Sequence, residues 1–358
     1  MGRSAKPFQA HPLILALLIG TLGGWLAFAL GLPLAWMIGA MAATTAAAIA
    51  RVPLAVPMSL RGVMVATLGV MLGSRFTPDI LDRMLDWGAS LAALFAYTVL
   101  TTAVGLLYFR RVARYEPATA YFSATPGGLS EMTIMGSALG GDARIISLVH
   151  SSRLLLVVLV LPFAFEILLD VELGERPLPG QPLLTVPPLD ILLLAVCGLV
   201  GYLAARAIRL PAALLVGPMI LSAVVHLAGW TQASPPVELI AAAQVVVGAA
   251  IGARFAGTGL GLVWRTALMG TGLTVILVGM AVAFAVAMHA LTDLPISALI
   301  LAYAPGGLAE MSLIALALTL DAAFVATHHI ARIGFIVLLA PAAFRWQSRQ
   351  KQIGNDSS

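Results

Sequence analysis

Long apolar stretches recur along nearly the whole chain, and short polar segments separate them. Many approach the about 20 residues that an α-helix needs to cross the ~30 Å hydrocarbon core of a bilayer. The pattern therefore predicts an all-α polytopic membrane protein. The predicted segments are 11–31, 33–50, 58–74, 88–109, 117–140, 145–169, 189–205, 211–229, 237–253, 266–290, 296–320 and 322–344.

Composition and charge support this class and argue against several others. Hydrophobic residues make up 60% of the 358 residues and charged residues only 10%, whereas an ordinary soluble domain is about 25% charged. The formal net charge of +4 comes from cations scattered at span ends, as membrane orientation requires, and not from a basic patch. Cys197 is the only cysteine, which excludes intramolecular disulfides and Cys-rich metal sites.

Two apolar segments carry the same interruption, a Pro-Gly-Gly tripeptide followed by Leu-x-Glu-Met. Proline has no N–H to donate and glycine tolerates unusual dihedrals, so the helix breaks and main-chain groups are freed. At membrane depth such groups survive only inside protein or beside a water-filled cavity. We interpret both tracts as a broken or re-entrant backbone at a substrate site, rather than as a mere kink. They are Pro126, Gly127 and Gly128, and Pro305, Gly306 and Gly307.

The chain is an internal duplication. The two tracts lie 179 residues apart, from Pro126 to Pro305, and other polar residues recur at the same offset. We divide the chain into a first membrane repeat, a linker, a second membrane repeat and a polar cytoplasmic tail. Their predicted bounds are 11–169, 170–188, 189–344 and 345–358.

The distribution of arginine and lysine predicts how the repeats are oriented. Five spans plus one re-entrant segment per repeat place 15 of these cations on the side of the N-terminus, 3 on the other side and 2 inside spans. Six full spans per repeat would give 11 and 7. The positive-inside rule favours the first arrangement, in which the odd number of spans inverts the second repeat. Both termini are then cytoplasmic.

A glutamate follows each tract, at Glu131 and Glu310. A carboxylate at this position can cap the N–H groups that begin the next helix. It can equally be an ion- or proton-coupling group, because ionisable residues inside a membrane are functional candidates. Ser130 and Thr125 add hydroxyl ligands in the first copy only, since alanine replaces both in the second.

A His-x-x-Arg pair follows each tract, on one face of the last helix of the repeat. Two interpretations stay open: a structural ion pair that holds the interrupted segment to this helix, or a proton relay or anion-binding arginine, because histidine titrates near neutral pH. Buried cations need partners, and the nearest candidates by sequence are the glutamates above or an aspartate of each repeat. This set is His150, Arg153 and Asp142 in the first repeat and His329, Arg332 and Asp321 in the second.

The repeat, the paired Pro-Gly-Gly-Leu-x-Glu-Met tracts and the paired His-x-x-Arg motifs together resemble the AbrB-type duplicated membrane protein family of Gram-negative bacteria. The resemblance covers roughly 11–344, and both copies of the motif are intact. The family shares its name with a small DNA-binding transition-state regulator that this sequence does not resemble. Its members are labelled regulators of gene expression or ammonia monooxygenases. Neither label follows from these residues, because a monooxygenase needs a metal centre and DNA binding needs a basic soluble module.

The predicted layout is also similar to that of citrate and glutamate secondary transporters, which carry Gly-Gly re-entrant loops at the substrate site. The likeness is an analogy of fold, and here a proline precedes Gly-Gly and a glutamate follows it. We expect a secondary transporter or permease for a small polar or anionic solute, with coupling to H⁺ or Na⁺ left open. The alternative is a membrane-bound regulator of gene expression that acts through a partner.

The remaining expectations concern surroundings and chemistry. The expected partners are the lipid bilayer and a small-molecule or ion substrate, with a homo-oligomer left open and no nucleic acid. No cofactor, bound metal or enzymatic activity is expected, because the sequence has no phosphate-binding loop, Ser-His-Asp arrangement or zinc motif. We expect a multi-pass protein of the bacterial inner membrane.

Overall fold

The computed structural model describes residues 10–169 and 180–356, and every regular element in these ranges is helical. The first eight α-helices follow the apolar segments of the first half, and a 3-10 turn at Met84–Trp87 precedes α5. Prolines stand in the first turn of α4 and α6, where a missing N–H leaves no partner unsatisfied. The helices are α1 (Ala10–Ala29), α2 (Ala35–Ile49), α3 (Met58–Gly73), α4 (Pro78–Arg83), α5 (Gly88–Arg111), α6 (Pro117–Ala124), α7 (Leu129–Ala138) and α8 (Ala143–Leu169).

The second half repeats this order without a counterpart of α4. A 3-10 turn at Leu183–Thr185 precedes the helices of this half, and another at Ala253–Phe255 lies between α11 and α12. The helices are α9 (Pro188–Ala207), α10 (Ala213–Leu227), α11 (Val237–Gly252), α12 (Leu260–Thr292), α13 (Ile296–Tyr303), α14 (Leu308–Ala317) and α15 (Ala322–Asp356). The all-α class predicted from the apolar pattern is confirmed for the described residues.

Seven helical segments in the described ranges are long and apolar enough to cross a membrane, by length and composition. Helices α2, α3 and α10 are apolar but shorter, at 15, 16 and 15 residues. The seven are Ala10–Ala29, Met84–Arg111, Ala143–Ile167, Pro188–Ala207, Val237–Phe255, Leu260–Thr292 and Ala322–Arg345. The chain is therefore a membrane protein by the criterion of helix length and composition.

Segments 117–140 and 296–320 are each split into two short helices at the Pro-Gly-Gly tract, where the sequence predicts a break. The structure differs from the predicted segments in two places. The backbone of the predicted tail from 345 to 356 continues α15 rather than forming a separate segment. Of the predicted linker, residues 170–179 lie outside the described residues. Helix α4 was not predicted, because six residues are too few to show a helical period.

Glycines allow the first two helices of each half to pack closely. A side chain on Gly23 of α1 would collide with the main chain of Gly39 on α2, and one on Gly201 of α9 would collide with Gly217 on α10. These positions correspond between the halves at an offset of 178 residues. Small residues at such crossings let two backbones approach, as in other membrane helix pairs. Within these pairs the chain runs antiparallel, since Gly20 faces Ala40 while Gly24 faces Trp36.

The two halves exchange equivalent contacts. In a Gly-x-x-x-Gly motif of α3, Gly69 faces the main chain of Leu215 and Gly73 faces Met219 on α10. In the matching motif of α11, the glycines face the same two positions of α2. The motifs therefore act in helix packing, as small residues commonly do in membranes. The second set of contacts is Gly248 with Met37 and Gly252 with Met41.

The register of these contacts gives the relative direction of the helices. Residue numbers rise together along α3 and α10 and along α11 and α2, so each of these pairs runs parallel. The same is true of α5 and α15, because Trp87 stacks edge-on against Phe324 at 5.3 Å and Phe95 against Phe335 at 5.5 Å. These three contacts between the halves thus join helices that point the same way, whereas α5 and α12 run antiparallel, because Tyr97 bonds to Leu277 and Gly105 faces Leu273.

The first interrupted segment folds back on itself. The backbone N–H of Asp142, just beyond α7, donates to the hydroxyl of Thr119 at the start of α6, at 2.9 Å. A Cβ on Gly136 of α7 would lie 3.0 Å from Cβ of Phe122 on α6. The beginning and the end of the α6–α7 hairpin are therefore adjacent, with the Pro-Gly-Gly tract at its tip.

One outer contact differs between the halves. A Cβ on Gly20 of α1 would lie 3.3 Å from Ala249 of α11, whereas a Cβ on its counterpart Gly198 of α9 would lie 3.7 Å from Val70 of α3. The larger valine holds α9 away from α3. A mostly apolar cavity of about 730 Å³ lies between α3, α9, α10 and α11, away from the interrupted segments.

Candidate functional site

The first interruption begins where α6 ends. Thr125 is buried and extended, and its hydroxyl donates to the carbonyl of Tyr121 at 2.8 Å. The N–H of Gly127 donates to the carbonyl of Thr125 at 2.8 Å, which turns the chain sharply. Gly128 then precedes the first residue of α7. Pro126 cannot continue a helix, so the turn lies where the sequence predicts it.

The first glycine and the methionine of each motif pack against each other at the turn. A Cβ on Gly127 would lie 2.9 Å from the sulfur of Met132, and one on Gly306 would lie 2.5 Å from the sulfur of Met311. Both methionines therefore fold back beneath the first glycine of their tract, which leaves no room for a side chain there. This packing explains why Met ends the repeated motif.

The two glutamates lie over the second glycine of each tract. The carboxylate of Glu131 covers Gly128, and that of Glu310 covers Gly307, at the start of α7 and α14. Negative charge is favoured at a helix N-terminus by the helix dipole, so the position fits the capping interpretation of these residues. Their surroundings differ, because Glu310 is buried and Glu131 is half-buried. Glu310 is also within electrostatic range of Arg61 on α3. Ser130 is half-buried in the first turn of α7.

Each histidine of the His-x-x-Arg pairs is held between a carbonyl and an arginine. Nε2 of His150 lies 2.8 Å from the carbonyl of Phe122, and Nε2 of His329 lies 2.9 Å from that of Leu301. A carbonyl only accepts, so Nε2 carries the hydrogen, and Nδ1 is left to accept from the guanidinium. The Nη2 atoms of Arg153 and Arg332 lie 2.8 Å from these Nδ1 atoms. Neutral imidazoles therefore satisfy both contacts, an arrangement that orients the arginines.

Arg332 is bonded to the main chain of its own interruption. Its Nη1 donates to the carbonyl of Ala304 at 2.7 Å and, more weakly, to that of Tyr303 at 3.4 Å. Its Nη2 donates to the carbonyl of Gly306 at 2.9 Å. The guanidinium is only 1% exposed. Main-chain oxygens freed by the break thus compensate a buried cation, as charge-assisted hydrogen bonds can.

Arg153 does not repeat this pattern. It is 3% exposed, and its Nε and Nη1 atoms have no hydrogen-bond partner among the described residues. Its one described bond goes from Nη2 to His150. Arg153 and Arg332 are within electrostatic range of each other and of the hydroxyl of Tyr97 on α5. The last helices of the two halves therefore place two buried guanidiniums within electrostatic range of each other.

The expected pairing of these arginines with acidic side chains is wrong for the aspartates. Asp142 is exposed, and its carboxylate accepts from the N–H groups of Arg144 and Ile145 at 2.8 and 3.1 Å, so that it caps α8. Asp321 caps α15 in the same way through Phe324, at 3.0 Å, and lies 3.8 Å from Nη1 of Arg83. Aspartate is a preferred N-cap residue, and both helices begin just after it.

Sequence reasoning missed a polar cluster between α5 and α15. Nδ1 of His328 donates to the carbonyl of Phe324 at 2.9 Å, and its Nε2 lies 2.8 Å from the hydroxyl oxygen of Ser90, which is also 2.9 Å from the carbonyl of Trp87. The Tyr303 hydroxyl donates to the carbonyl of Ser90 at 2.9 Å, and its ring lies 5.3 Å from that of Tyr97. A signal was present, since Ser90, Tyr97 and Thr101 recur at helical spacing on one face of apolar α5.

No group of three or more His, Cys, Asp or Glu side chains that could hold a metal ion occurs in the described residues. The described histidines of the site face carbonyls, hydroxyls and arginines. The arrangement can offer cationic N–H donors and freed carbonyls to a polar solute.

Fold and site together define an all-helical membrane protein with two interrupted helices and a buried pair of arginines. The chain matches the family described as transition state regulatory protein AbrB over residues 36–348. It belongs to this family, which confirms the resemblance seen in the sequence.

Two curated relatives cover most of the chain. It is 27% identical over 359 residues to a Bacillus subtilis (strain 168) protein named "Uncharacterized protein YhjN", with 91% of each chain covered. It is 28% identical over 332 residues to an Escherichia coli (strain K12) protein named "Putative regulator AbrB", covering 89% of this chain and 92% of the relative. No solved structure matches the chain.

Proposed function

We propose that the two halves are inverted repeats of five spans and one re-entrant hairpin each. Helix α2 runs parallel to α11 and antiparallel to α1, and two hairpin connections separate α11 from α9. Helix α9 then points opposite to its counterpart α1, as an inverted repeat requires. The adjacency of Thr119 and Asp142 supports entry and exit of the α6–α7 hairpin on the same side of the membrane.

The protein functions as a secondary transporter or permease for a small polar or anionic solute. The observation that carries this proposal is that each helix break packs on the last helix of the other half. A Cβ on Gly127 would lie 3.0 Å from Ile336 of α15, and one on Gly307 would lie 3.4 Å from Leu154 of α8. Broken helices at the contact between inverted repeats are where secondary transporters bind substrate and coupling ions.

The location and orientation of the protein in the membrane are inferred from its charged residues. The distribution of arginine and lysine favours a bacterial inner-membrane protein with both termini in the cytoplasm. The α6–α7 hairpin then enters from the cytoplasmic side, and α13–α14 enters from the opposite side. Movement of one half against the other would open the shared site to either face.

Flux into proteoliposomes tests the proposal. Purified protein is reconstituted and screened with radiolabelled organic acids, amines and cations, with and without a proton or sodium gradient. We expect saturable uptake of at least one solute, accelerated by a gradient if transport is coupled. Absence of uptake and of counterflow for every solute in the screen would remove the transport function.

Glu131 and Glu310 are proposed as coupling carboxylates. We expect Glu131→Gln to abolish or uncouple flux while the protein remains folded, because glutamine keeps the shape but cannot release a proton or hold a cation. The measurement is flux with and without the gradient, together with the circular dichroism and thermal unfolding of the variant. Wild-type flux in the variant would leave Glu131 with a capping role only.

Regulation of gene expression through a partner is the second candidate, and the name of the Escherichia coli relative favours it. A stoichiometric partner isolated from membranes with the protein, combined with no measurable flux, would support regulation over transport.

A further inference from the structure

The buried guanidiniums of Arg153 and Arg332 lie within electrostatic range of each other, on the last helices of the two halves. Arg153 and Arg332 interact electrostatically, and the geometry around each histidine keeps both imidazoles neutral. No salt bridge joins either arginine to a carboxylate in the described ranges. Burying a charge is costly unless it is paired and hydrogen-bonded, so two like charges here call for an anion.

Arg153 has more donors to spare than Arg332, of which only Nε lacks a partner among the described residues. Arg332 places both terminal nitrogens on carbonyls of its own helix break. Arg153 leaves Nε and Nη1 without a partner, which together carry three N–H donors. These donors lie beside α6–α7. Arg153 is bonded to Nδ1 of His150, and Nε2 of the same histidine is bonded to the carbonyl of Phe122 on α6.

The carboxylates of Glu131 and Glu310 form no salt bridge with Arg153 in the described ranges. Those of Glu131 and Glu310 lie over Gly128 and Gly307, and Glu310 interacts electrostatically with Arg61. Intramolecular compensation of Arg153 would require one of them to leave a helix N-terminus, where it is favoured.

We propose that Arg153 binds a carboxylate group of the transported solute beside the first helix break, with Arg332 adding positive charge from the last helix of the other half. A planar guanidinium matches a carboxylate in shape and hydrogen-bonding geometry better than an ammonium does. The solute is therefore a small organic acid. That the bound carboxylate is a transported solute rests on the proposed function as a transporter. Its binding to Arg153 can be measured without transport.

The test is thermal unfolding of the full-length protein in lipid nanodiscs. The probes are sodium succinate, sodium citrate and sodium glutamate, with sodium chloride and sodium sulfate at the same ionic strength and neutral succinamide as references. A ligand at 100 times its Kd raises the ratio of folded to unfolded protein about 100-fold. We expect at least one carboxylate to stabilise the wild type, and succinamide to have no effect.

Two variants and a control assign the effect to Arg153. We expect Arg153→Gln to fold and to lose the stabilisation by carboxylate, and Arg153→Lys to retain less than a tenth of the affinity. The exposed arginine of α9 supplies the control, Arg206→Gln, which should respond as the wild type does. Stabilisation of Arg153→Gln equal to that of the wild type would overturn the assignment, as would equal stabilisation of the wild type by sulfate or by no probe at all.

The outcomes separate this inference from the proposed function. Carboxylate binding that depends on Arg153, without any flux, would support the site and remove the transport function. Flux that is unchanged in Arg153→Gln would support transport and remove the site.

Discussion

The two helix breaks have nearly the same sequence but different hydrogen bonding. At the second break, the guanidinium of Arg332 is bonded to the carbonyls of Ala304 and Gly306. At the first break, Arg153 holds only its histidine, and two of its nitrogens have no partner among the described residues. The guanidinium of the second half is thus bonded to its own break and leaves only Nε without a partner in the described ranges, whereas that of the first half leaves Nε and Nη1.

This difference shows that a repeated motif does not imply a repeated role. In both halves a neutral histidine orients the arginine, so the motif fixes where the guanidinium lies. Whether it reaches the freed carbonyls depends on how the hairpin packs against the last helix of the other half.

The largest expected effect concerns the two arginines. Replacing Arg332 by glutamine leaves carbonyls of the second break without their donors and should lower the free energy of unfolding by about 3–5 kcal/mol. Replacing Arg153 by glutamine removes an incompletely paired buried charge and should change it by less than about 1 kcal/mol. Denaturant unfolding in lipid nanodiscs measures both variants. Equal losses would show that the two halves are energetically alike.

A smaller effect, equal in the two halves, is expected for the packing glycines. A Cβ on Gly73 would lie 2.5 Å from Cβ of Ser222, and one on Gly252 would lie 2.7 Å from the backbone nitrogen of Thr45. Either glycine replaced by alanine should therefore lower the free energy of unfolding by about 1–3 kcal/mol. The control is Gly334→Ala in α15, where a Cβ meets nothing within 4 Å. A loss confined to one half would contradict equivalent packing.

The smallest expected effect concerns Thr125, where the second copy has Ala304. Thr125→Ala removes the hydroxyl bond to Tyr121, but the carbonyl of Tyr121 still accepts from the N–H of residue 125. The free energy of unfolding should fall by about 0.5–1.5 kcal/mol. Flux in the same variant shows whether the hydroxyl also binds the solute. If it does, the Michaelis constant for flux would rise without further loss of stability.

Much of the fold was readable from the sequence, because its signals are local. Apolar length predicted the helices, and proline with two glycines predicted both breaks. The family was also recognisable from the repeated motifs. Helix ends were less certain, and the predicted tail continues α15. The prediction for the aspartates is wrong. Each is a nearby carboxylate in the sequence and so suggested a partner for arginine, but it caps the helix that begins one residue later.

The sequence alone determined where helices run, where they break and which residues recur in each half, because backbone chemistry and apolar length act within about 20 residues. The tertiary structure decided which partners the buried polar groups find. Ser90 meets His328 across 238 residues, and Arg153 and Arg332 meet from opposite halves. Hydrogen bonds depend on distances of a few tenths of an ångström, and only the packing of helices distant in the chain sets these.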